Sequence, residues 1–566
     1  MSVMAREVEE DLKSPLIKSE GGFTTDDNQS NVIIDIESNG HHHHHQDYTN
    51  NSNNRIDEEA VVLEVHEEER DNNPFEFIGV ERLVVPKETT IDPFRNNTPE
   101  IGCSLYEWIK MIIVIPIALL RLVGFGICLA IGFVFTKFAL FGWKDKKNPM
   151  PRWRCRVLGV TRLCSRGILF CFGYHWIRRK GKPAPRDIAP IVVSNHVSYI
   201  DPIFYFYELH PTIVASESHD SLPFVGDIIR AMQVIYVNRF SAGSRKNAVS
   251  EIKRKASGNR FPRVLLFPEG TTTNGRSLIS FQLGAFIPGY PIQPVVVRYP
   301  HIHFDQSWGN ISLAKLMIRG FLQFHNFMEV EYLPVVYPNQ KESASNFAER
   351  TGESIASALN VVQTSHSYGD VMLLMKAAEA KQEKASSYMV ELARVDNSLN
   401  ISTLEALDFL DVFLSMNPGP SGRVEIQEFL RVLRLPFCPL SEKIFAFIDV
   451  EKYGQITFRQ FCYGVALVMK QPLFWRTCEL AFGVCDSRGL GYITKQQLSD
   501  SIRLAIPDIT DEQVDELFKL FDSDSDDKVS EDDFITCLKK NPLLVALFSW
   551  VGTGTEVGDR GLVQVV

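Results

Sequence analysis

A loop of twelve residues recurs four times in the last third of the chain, and this repeat restricts the possible folds more than any other feature. The copies begin 32, 37 and 36 residues apart, at Asn417, Asp449, Asp486 and Asp522. Each follows a phenylalanine by four residues, and each has an aliphatic eighth residue, namely Val424, Ile456, Ile493 and Val529. A unit repeated at this period cannot bury its apolar face alone, so the copies must pack against one another. Residues 400–545 are therefore predicted to form an all-α region in which four loops pair two by two.

The oxygen-bearing residues of these loops follow the pattern of an EF-hand, in which positions 1, 3, 5, 7, 9 and 12 bind Ca²⁺. The fourth loop fits best, and its predicted ligands are Asp522, Asp524, Asp526, the Lys528 carbonyl, Ser530 and Asp533. It departs from the pattern at Asp533, which is shorter than the usual glutamate, and at Asp527, which replaces a glycine. These departures predict weakened Ca²⁺ binding, or Mg²⁺ in place of Ca²⁺. The other three loops keep only part of the ligand set.

A histidine and an aspartate five residues apart form a second pattern. His196 and Asp201 follow a short apolar run, Pro190–Ser194, and Asp201 directly precedes Pro202. Aspartate favours the N-cap of a helix and proline its first turn, so the segment is predicted to run from a strand into a helix with Asp201 at the cap. A carboxylate beside an imidazole fixes its tautomer and raises its basicity, as a general base requires. The alternative is a buried turn histidine beside an aspartate that only caps the helix.

Four sequence blocks, taken together, resemble those of the PlsC-type glycerolipid acyltransferases. They are His196-x4-Asp201, Val234-Ile-Tyr-Val-Asn238-Arg239, Phe267-Pro-Glu-Gly-Thr271 and Gly289-Tyr-Pro291-Ile-Gln-Pro294-Val-Val-Val297, in the order of that family. An acyltransferase followed by EF-hand loops is similar to the plant lysophosphatidylethanolamine acyltransferases and, next, to the lysophosphatidylcholine acyltransferases. That wider resemblance runs from about residue 90 to about residue 545.

The resemblance implies a role for each block. His196, oriented by Asp201, would take the proton of a lipid hydroxyl that attacks acyl-CoA directly, without an acyl-enzyme. The implied substrate-binding residues are Asn238, Arg239, Glu269, Gly270, Thr271 and Pro294. Arg239 would hold the phosphate of the acceptor, and Glu269 would position the acceptor or order its loop through Arg239, unless the two form a structural ion pair. Pro294 would shape the acyl-chain pocket, or it is an edge-strand proline. No catalytic cofactor is implied, because acyl-CoA is a substrate.

Between residues 190 and 390, short β-rich runs alternate with helix-like polar segments. The predicted strands are Ile191–Ser194, Thr212–Ala215, Val234–Val237, Val264–Phe267, Ile292–Val297 and Glu329–Leu333. This alternation predicts an α/β domain. Ligands of open α/β sheets bind beyond the carboxyl ends of the strands. Because His196, Arg239 and Glu269 each follow such a run, we expect them to meet at one edge of the sheet.

Residues Met111–Phe135 form an apolar stretch interrupted only by Arg121. About 20 apolar residues suffice to cross a bilayer. Two arrangements remain open, a full span and a hairpin that re-enters one leaflet with its bend at Pro116 or Gly124, and the length of the stretch slightly favours the span. A basic region follows, which marks the cytosolic side of the membrane and attracts anionic headgroups. The catalytic and EF-hand regions are therefore expected in the cytosol.

The two ends of the chain are predicted to be irregular. Residues 1–104 are polar and acidic and are expected to be disordered, with glycosylation sequons at Asn28, Asn50 and Asn96 that a full span would place in the lumen. Residues 546–566 are expected to be flexible. The net charge of −10 argues against nucleic-acid binding, which requires a basic face. Ten cysteines without repeated CxxC pairs predict neither a disulfide framework nor a zinc site.

These patterns predict a membrane-bound lysophospholipid acyltransferase that acts on lysophosphatidylethanolamine or lysophosphatidylcholine, with Ca²⁺ regulation. Its parts would be a membrane segment at 105–143, a basic interfacial region at 144–189, an acyltransferase domain at 190–390 and the EF-hand region. Its partners would be acyl-CoA, the lysophospholipid, the bilayer and Ca²⁺, on an endoplasmic reticulum, Golgi or late endosome membrane. The alternatives are a 1-acylglycerol-3-phosphate acyltransferase and, in a different class, a non-catalytic calcium-binding membrane adaptor.

Overall fold

A seven-stranded sheet forms the centre of the α/β region. Its strands are β1 (Ile177–Lys180), β2 (Ile191–Ser194), β3 (Thr212–Ser216), β4 (Ile235–Val237), β5 (Val264–Leu266), β7 (Ile292–Arg298) and β8 (Met328–Tyr332); β6 (Ser277–Leu278) pairs separately with β9 (Val362–Gln363). The order is β1-β8-β7-β2-β5-β3-β4. From β7 to β4 all neighbours are parallel, whereas β8 runs antiparallel to β7. The carboxyl ends of β2, β5 and β4 therefore lie at the same edge.

This computed structural model describes residues 73–87, 89–98, 105–144, 147–258, 260–301, 304–309 and 311–551. All six predicted strands are present, with ends within two residues of those expected. The additional strand β1 pairs with β8 and lies before residue 190, inside the segment expected to be only a basic interfacial region. The sheet thus begins at Ile177, and the boundary predicted at residue 190 is wrong.

Helices cover both faces of the sheet. They are α1 (Leu105–Leu140), α2 (Arg152–Cys171), α3 (Ile200–Glu208), α4 (Val225–Ala231), α5 (Ala242–Ser257), α6 (Leu313–Phe321), α7 (Ala344–Leu359) and α8 (Tyr368–Glu379). Successive side chains of a strand point to opposite faces. Accordingly Val192 of β2 packs in one apolar core with Phe204 of α3, while Ile191 packs in the other with Ile252 of α5 and Phe347 of α7. The result is a three-layer α/β/α arrangement.

Helix α1 is continuous through 36 residues, so the chain does not turn back at Pro116 or Gly124 as the hairpin alternative requires. Its portion Trp108–Leu140 is long and apolar enough to cross a membrane, by length and composition. One face of the helix is nevertheless bound to the α/β region along most of its length. At one end Lys110 donates to Gln323 at 3.0 Å, and at the other Lys137 forms an ion pair with Asp227 at 2.9 Å.

Arg121, near the middle of α1, is 9% exposed. Its guanidinium donates to the carbonyls of Phe321, Gln323 and Phe324, which follow or end α6. A charged group costs little in an apolar environment when its donors are satisfied. The arginine that interrupts the apolar stretch therefore attaches the helix to the domain beside it.

Residues 73–98 are folded, which corrects the prediction of disorder through residue 104 for this part. We call them the strap. Phe75 lies with its ring centroid 5.0 Å from that of Phe447, and Asn96 Nδ2 donates to the carbonyls of Asp305 and Ser307 at 3.1 and 2.7 Å. Composition missed the strap because its few apolar residues are buried by partners far along the chain. The histidine run and the sequons at Asn28 and Asn50 lie outside the described residues.

The C-terminal region consists of helices that bracket the four loops. They are α9 (Leu392–Leu399), α10 (Thr403–Ser415), α11 (Ile426–Leu433), α12 (Pro439–Ile448), α13 (Phe458–Met469), α14 (Phe474–Cys485), α15 (Lys495–Ala505), α16 (Asp511–Phe521) and α17 (Glu531–Lys540). Short antiparallel strands join the loops in two pairs, Arg423–Glu425 with Gln455–Thr457 and Tyr492–Ile493 with Val529–Ser530. The four-loop, two-pair prediction agrees with this arrangement.

The described C-terminal end is not flexible. Pro542–Val551 forms a 3-10 helix, and its residues from Leu543 to Phe548 are buried in the core of the EF-hand region. A flexible terminus predicted to start at residue 546 is therefore wrong as far as Val551.

Candidate active site

The turn between β2 and α3 joins the predicted histidine and aspartate. Asp201 Oδ2 accepts hydrogen bonds from His196 Nδ1 at 2.8 Å and from the backbone N–H groups of Val197 and Ser198 at 2.8 and 3.0 Å. Its other oxygen accepts from the Tyr299 hydroxyl. Asp201 is the second residue of α3. The sequence had predicted it at the N-cap, so that prediction is wrong. The carboxylate reaches back and closes the turn that carries the histidine, so it both orients the ring and shapes the backbone.

The ring of His196 is fixed on two sides. Because the Asp201 carboxylate accepts at Nδ1, that nitrogen carries the proton and Nε2 keeps its lone pair. The ring of Phe267 stacks on it, with the centroids 4.0 Å apart and the planes at 17°. The side chain is 19% exposed and lines a cavity. This is the arrangement that a general base needs, an acceptor nitrogen in a ring that cannot turn away.

Glu269 acts on the same turn from behind. It is fully buried and does not line the cavity, and its Oε1 accepts from the backbone N–H of His196 at 2.8 Å. Burial raises the pKa of Glu269 to about 8, against hydrogen bonds from the backbone of His196 and Ile279 and from the Thr273 side chain. Its carboxyl is therefore largely protonated at neutral pH. The structural ion pair with Arg239 considered from the sequence does not form between these two described residues.

The loop after β5 reaches the cavity through Gly270 and Thr271. Gly270 has φ of +74°, a conformation that favours glycine, and its N–H donates to the Phe267 carbonyl at 2.9 Å. Because this N–H is used within its own turn, the donor role expected at this loop rests on Thr271. The loop also supports the histidine, since Thr273 N donates to the His196 carbonyl at 2.8 Å.

Arg239 lines the cavity just beyond the carboxyl end of β4. Its guanidinium lies over the ring of Tyr368 with 4.3 Å to the ring centroid. A guanidinium above an aromatic ring can still donate hydrogen bonds from its nitrogens to a phosphate. Its neighbour Asn238 has a different function from the one expected: its Oδ1 accepts from Phe240 N at 3.0 Å, and it does not line the cavity.

Pro294 lies in β7, a central strand with β2 on one side and β8 on the other, opposite Val193. The edge-strand alternative is therefore wrong. Pro294 is buried and does not line the cavity, and its part in shaping an acyl-chain pocket stays a prediction.

The cavity that unites these residues has a volume of about 1780 Å³. Its apolar lining includes Phe125 and Leu129 of α1, Phe172, Ile203 and Phe206, and Ile228 and Met232 beside β4. Its polar lining includes His196, Arg239, Arg245 and Tyr368. A cavity of this size and mixed lining can hold an amphipathic molecule.

The fourth EF-hand loop collects three of its predicted ligands. One oxygen from each of Asp522, Asp524 and Asp526 lies within 4.8 Å of the others, as a divalent cation requires. Asp527 adopts φ of +61° at the position where glycine is usual, so the loop keeps the sharp turn. Asp533 instead caps α17 by accepting from Ser530, and also accepts from Ser523. The Lys528 ammonium lies 4.8 Å from the Tyr492 ring centroid.

Sequence reasoning missed three aromatic residues of the site. Phe267 had been assigned only to a strand, although it directly precedes the Pro-Glu-Gly-Thr block and stacks on His196. Tyr299 follows the fourth block by two residues, a position from which its bond to Asp201 was within reach of a pattern search. Tyr368 lies well over a hundred residues after Arg239, and nothing local marks it as that residue's partner.

Several known proteins are similar in sequence to this chain over most of its length. A family model described as acyltransferase matches residues 177–298, and a model of an EF-hand domain pair matches residues 477–539. Lysophospholipid acyltransferase LPEAT2 of Arabidopsis thaliana is 64% identical over 479 residues, which cover 84% of this chain and 89% of that protein. Lysophosphatidylcholine acyltransferase 2 of Mus musculus is 30% identical over 490 residues, which cover 83% of this chain and 88% of that protein.

Identity at this level extends over most of the length of both relatives and includes the acyltransferase and EF-hand regions together. A fold-level likeness alone would leave the activity open. Two of the predicted site residues, His196 and Arg239, also line the cavity. The chain belongs to the PlsC-type lysophospholipid acyltransferases with C-terminal EF-hands, and it is an acyltransferase.

Proposed function

We propose that the protein transfers an acyl chain from acyl-CoA to the free hydroxyl of a lysophospholipid, with lysophosphatidylethanolamine or lysophosphatidylcholine as the favoured acceptor and His196 as general base. The observation that carries this proposal is the 2.8 Å hydrogen bond from His196 Nδ1 to Asp201, in a residue that lines the cavity. A neutral hydroxyl is a poor nucleophile, and an oriented imidazole is the usual remedy.

The reaction proceeds in two proton transfers. His196 Nε2 takes the proton of the acceptor hydroxyl as its oxygen bonds to the thioester carbonyl carbon. The C–S bond then breaks, and the imidazolium returns the proton to the CoA sulfur. Asp201 stabilises the transient positive charge on the ring and holds its tautomer. No group of the protein is acylated, and the products are a diacyl phospholipid and free CoA.

The cavity supports the placement of both substrates. Arg239 offers a fixed cation for the acceptor phosphate, and the apolar part of the lining, which includes residues of α1 and α4, accommodates an acyl chain. The runner-up activity, acylation of 1-acylglycerol-3-phosphate, would use the same arginine. The non-catalytic adaptor is disfavoured by the intact hydrogen bonds around His196, because an inactive scaffold has no need of an oriented base.

We infer that helix α1 lies in the plane of one leaflet, with the catalytic domain on the cytosolic surface. The helix contacts that domain from Lys110 to Lys137, about 40 Å at 1.5 Å per residue, which exceeds the roughly 30 Å of a hydrocarbon core. The strap precedes α1, yet it packs on the domain that follows α1. If α1 crossed the membrane, the strap and that domain would lie on opposite sides of it. The exposed apolar face of α1, with Ile112, Leu120 and Ile127, would then meet lipid.

This arrangement is testable through the sequons. On one side of the membrane, Asn28, Asn50 and Asn96 remain unmodified in cells, and the protein shows no shift in gel mobility on glycosidase treatment. A matched positive control carries an added sequon behind a cleavable signal sequence. A glycosidase-sensitive shift in the unaltered chain would establish a crossing and exclude the in-plane helix.

The function itself is tested by acyl transfer in membranes that contain the full-length chain. Labelled acyl-CoA would be offered with lysophosphatidylethanolamine, lysophosphatidylcholine and lysophosphatidate separately, beside membranes that carry His196→Ala. Activity on either of the first two lipids, lost in the variant, is the expected result. Activity confined to lysophosphatidate would select the runner-up, and no transfer to any lysolipid would leave the adaptor.

A further inference from the structure

The aromatic ring beside Arg239 comes from outside the part of the chain that matches the acyltransferase family model. That match ends at residue 298, whereas Tyr368 is the first residue of α8. The central carbon of the Arg239 guanidinium lies 4.3 Å from the centroid of the Tyr368 ring, and both residues line the cavity. A later segment of the chain therefore contacts a side chain that is expected to bind the acceptor.

Tyr368 is held in place by the closely packed start of α8. The buried carboxylate of Asp370 accepts hydrogen bonds from the backbone N–H groups of Val390 and Leu392, both at 2.9 Å. Between the two acidic and aromatic residues, Gly369 leaves no room for a side chain, because a β-carbon there would lie 2.2 Å from Leu392 Cδ2. The first turn of α8 is therefore fixed against the start of α9, and Tyr368 with it.

This turn belongs to the apolar core of the EF-hand region. Val371 and Met372 of α8 are buried in one cluster with Phe413 of α10, and Tyr368 packs against the same cluster. Residues of the central sheet belong to other clusters, as Val192 of β2 shows. The ring that contacts Arg239 is therefore anchored on the EF-hand side of the site.

The backbone of Arg239 is held from the acyltransferase side. Its carbonyl accepts a hydrogen bond from Arg245 Nη1 at 2.6 Å. Fixing a long side chain on a ligand costs conformational entropy, and a contact that restricts the side chain beforehand lowers this cost. A cation above an aromatic ring is stabilised electrostatically. Loss of the ring would therefore weaken the binding of an anion without removing the charge that binds it.

We propose that Tyr368 is a positioning residue for acyl transfer, whose ring holds the Arg239 guanidinium at the cavity, ready for the acceptor phosphate. The proposal rests on the proposed function, in which that arginine binds the phosphate. Tyr368 acts through the arginine and needs no contact of its own with the substrate. Since the ring is anchored in the core of the EF-hand region, a segment outside the matched module sets this part of the acyltransferase site.

The test measures kcat and the KM values for lysophosphatidylethanolamine and acyl-CoA, with the full-length protein in membranes. Tyr368→Leu keeps an apolar side chain but removes the ring, so the KM for the lysolipid should rise about three- to tenfold. Because the phosphate contact is made equally in the ground and transition states, kcat should stay within about twofold. The KM for acyl-CoA should not change, and Tyr368→Phe, which keeps the ring, should retain the parent values.

A double-mutant cycle shows whether the ring acts through the arginine. Arg239→Gln removes the charge and should raise the KM for the lysolipid by itself. In that background Tyr368→Leu should add little, because the effects of two residues in contact are not additive. A matched control comes from another such pair, in which Arg423 lies 5.8 Å from the ring centroid of Tyr453, outside the cavity lining. Tyr453→Leu should leave both KM values at those of the parent.

Thermal unfolding of each variant establishes that the fold persists, and Tyr368→Met replaces Tyr368→Leu if the latter does not fold. An unchanged lysolipid KM in the folded variant without the ring overturns the proposal. Equal damage in Tyr368→Phe also overturns it, because the role would then belong to the hydroxyl. So does a full additional effect of Tyr368→Leu in the Arg239→Gln background.

In these three cases, acyl transfer to the lysolipid by the parent protein would still uphold the proposed function. An unchanged lysolipid KM in Arg239→Gln would instead refute the role of the arginine in the proposed function, and the role of Tyr368 would fail with it.

Discussion

The carboxylates of the active site and those of the fourth EF-hand loop have the same chemistry in opposite surroundings. Asp201 and Glu269 are both 0% exposed, and the contacts of each end on the turn that carries His196. Asp524 and Asp526 are exposed, and Asp522 completes a cluster of like charges with them. Asp201 and Glu269 are buried and accept hydrogen bonds from neutral donors. The three carboxylates of the loop repel one another.

The protein itself determines the arrangement of the buried carboxylates, whereas the ions in solution influence that of the exposed ones. Loss of some hydration inside the loop, followed by the charges of Asp526, Asp533 and Asp522, raises the pKa of the exposed Asp524. A divalent cation would relieve that repulsion, so the state of the loop depends on ion concentration. Around His196 the protein supplies every partner, so the base is oriented in any buffer. Catalysis is therefore expected to depend more on the buried groups that hold His196 than on the exposed carboxylates, which should only adjust it.

The largest expected effect follows from removing the base. His196→Ala should lower kcat about a hundred- to ten-thousand-fold, because the acceptor hydroxyl then loses its proton acceptor. The assay is acyl transfer in membranes at saturating substrates, with membrane flotation and thermal unfolding as checks that the protein is inserted and folded. Retention of more than half of the parent activity would refute the mechanism.

Asp201 should matter less than His196 but more than any exposed carboxylate. In Asp201→Asn the turn keeps an acceptor for Val197 and Ser198, but the amide no longer stabilises a positive imidazole. We expect a kcat loss between that of His196→Ala and the parent value, with KM nearly unchanged. An Asp201→Asn protein as active as the parent would show that orientation alone suffices.

Two variants of Glu269 distinguish the effect of its hydrogen bond from the effect of its charge. Since its carboxyl is largely protonated at neutral pH, Glu269→Gln should retain most activity at pH 7, whereas Glu269→Ala leaves the His196 N–H without its acceptor and costs about 1–3 kcal/mol of stability. Activity and denaturant unfolding of the two variants, measured in parallel, check this. Equal damage in both would mean that the charge is required.

The same residue predicts a pH dependence of stability. The folded pKa of Glu269, about 8, lies above the usual value of 4.5, so the unfolded chain ionises first as pH rises. Its contribution to folding is therefore fully present below about pH 4.5, falls as pH rises, and is lost above about 8. Glu269→Gln should flatten this part of the profile, measured as unfolding free energy between pH 5 and 9. A parallel decline in both proteins would assign the dependence to other groups.

The smallest effect is expected from the fourth loop. We predict that Ca²⁺ changes activity or membrane association a few-fold, equivalent to about 1 kcal/mol of coupling, and that Asp522→Ala with Asp533→Ala removes the response. Buffered Ca²⁺ is titrated from submicromolar to millimolar during the assay, with Asp508→Asn as control. A flat response in the parent, with no Ca²⁺ bound by calorimetry, would make the loop purely structural.

The sequence predicted the sheet and the loops well because both depend on local patterns. Six strands could be located from short β-branched runs, and the four loops from a fixed period. It was harder to predict which side chains face the cavity. Glu269 and Asn238 follow strands as Arg239 does, but of these three only Arg239 lines the cavity. Whether a residue after a strand faces the ligand depends on how the next turn closes, as Asp201 shows by sitting inside α3 instead of at its cap.

Long-range partners were beyond reach for a different reason. Tyr368 beneath Arg239 and the strap each depend on contacts between segments more than a hundred residues apart, with no repeated spacing between them. A stretch of low hydrophobicity such as 73–98 can fold when another part of the protein supplies the apolar surface. Composition measures only what a segment can bury by itself.

The strap also imposes an order on how the protein is made. Its carbonyl at Pro86 accepts from Arg459, 373 residues later, and Thr89 meets His366, 277 residues later. At about 5–20 residues per second, a ribosome needs roughly 20–75 seconds to supply the later partner. Helix α1 emerges within a few seconds of the strap, long before these partners. The strap, which also binds Asp305 and Ser307, therefore reaches its final packing only after most of the chain has been synthesised, and a chain interrupted before its EF-hand region leaves the strap without Arg459.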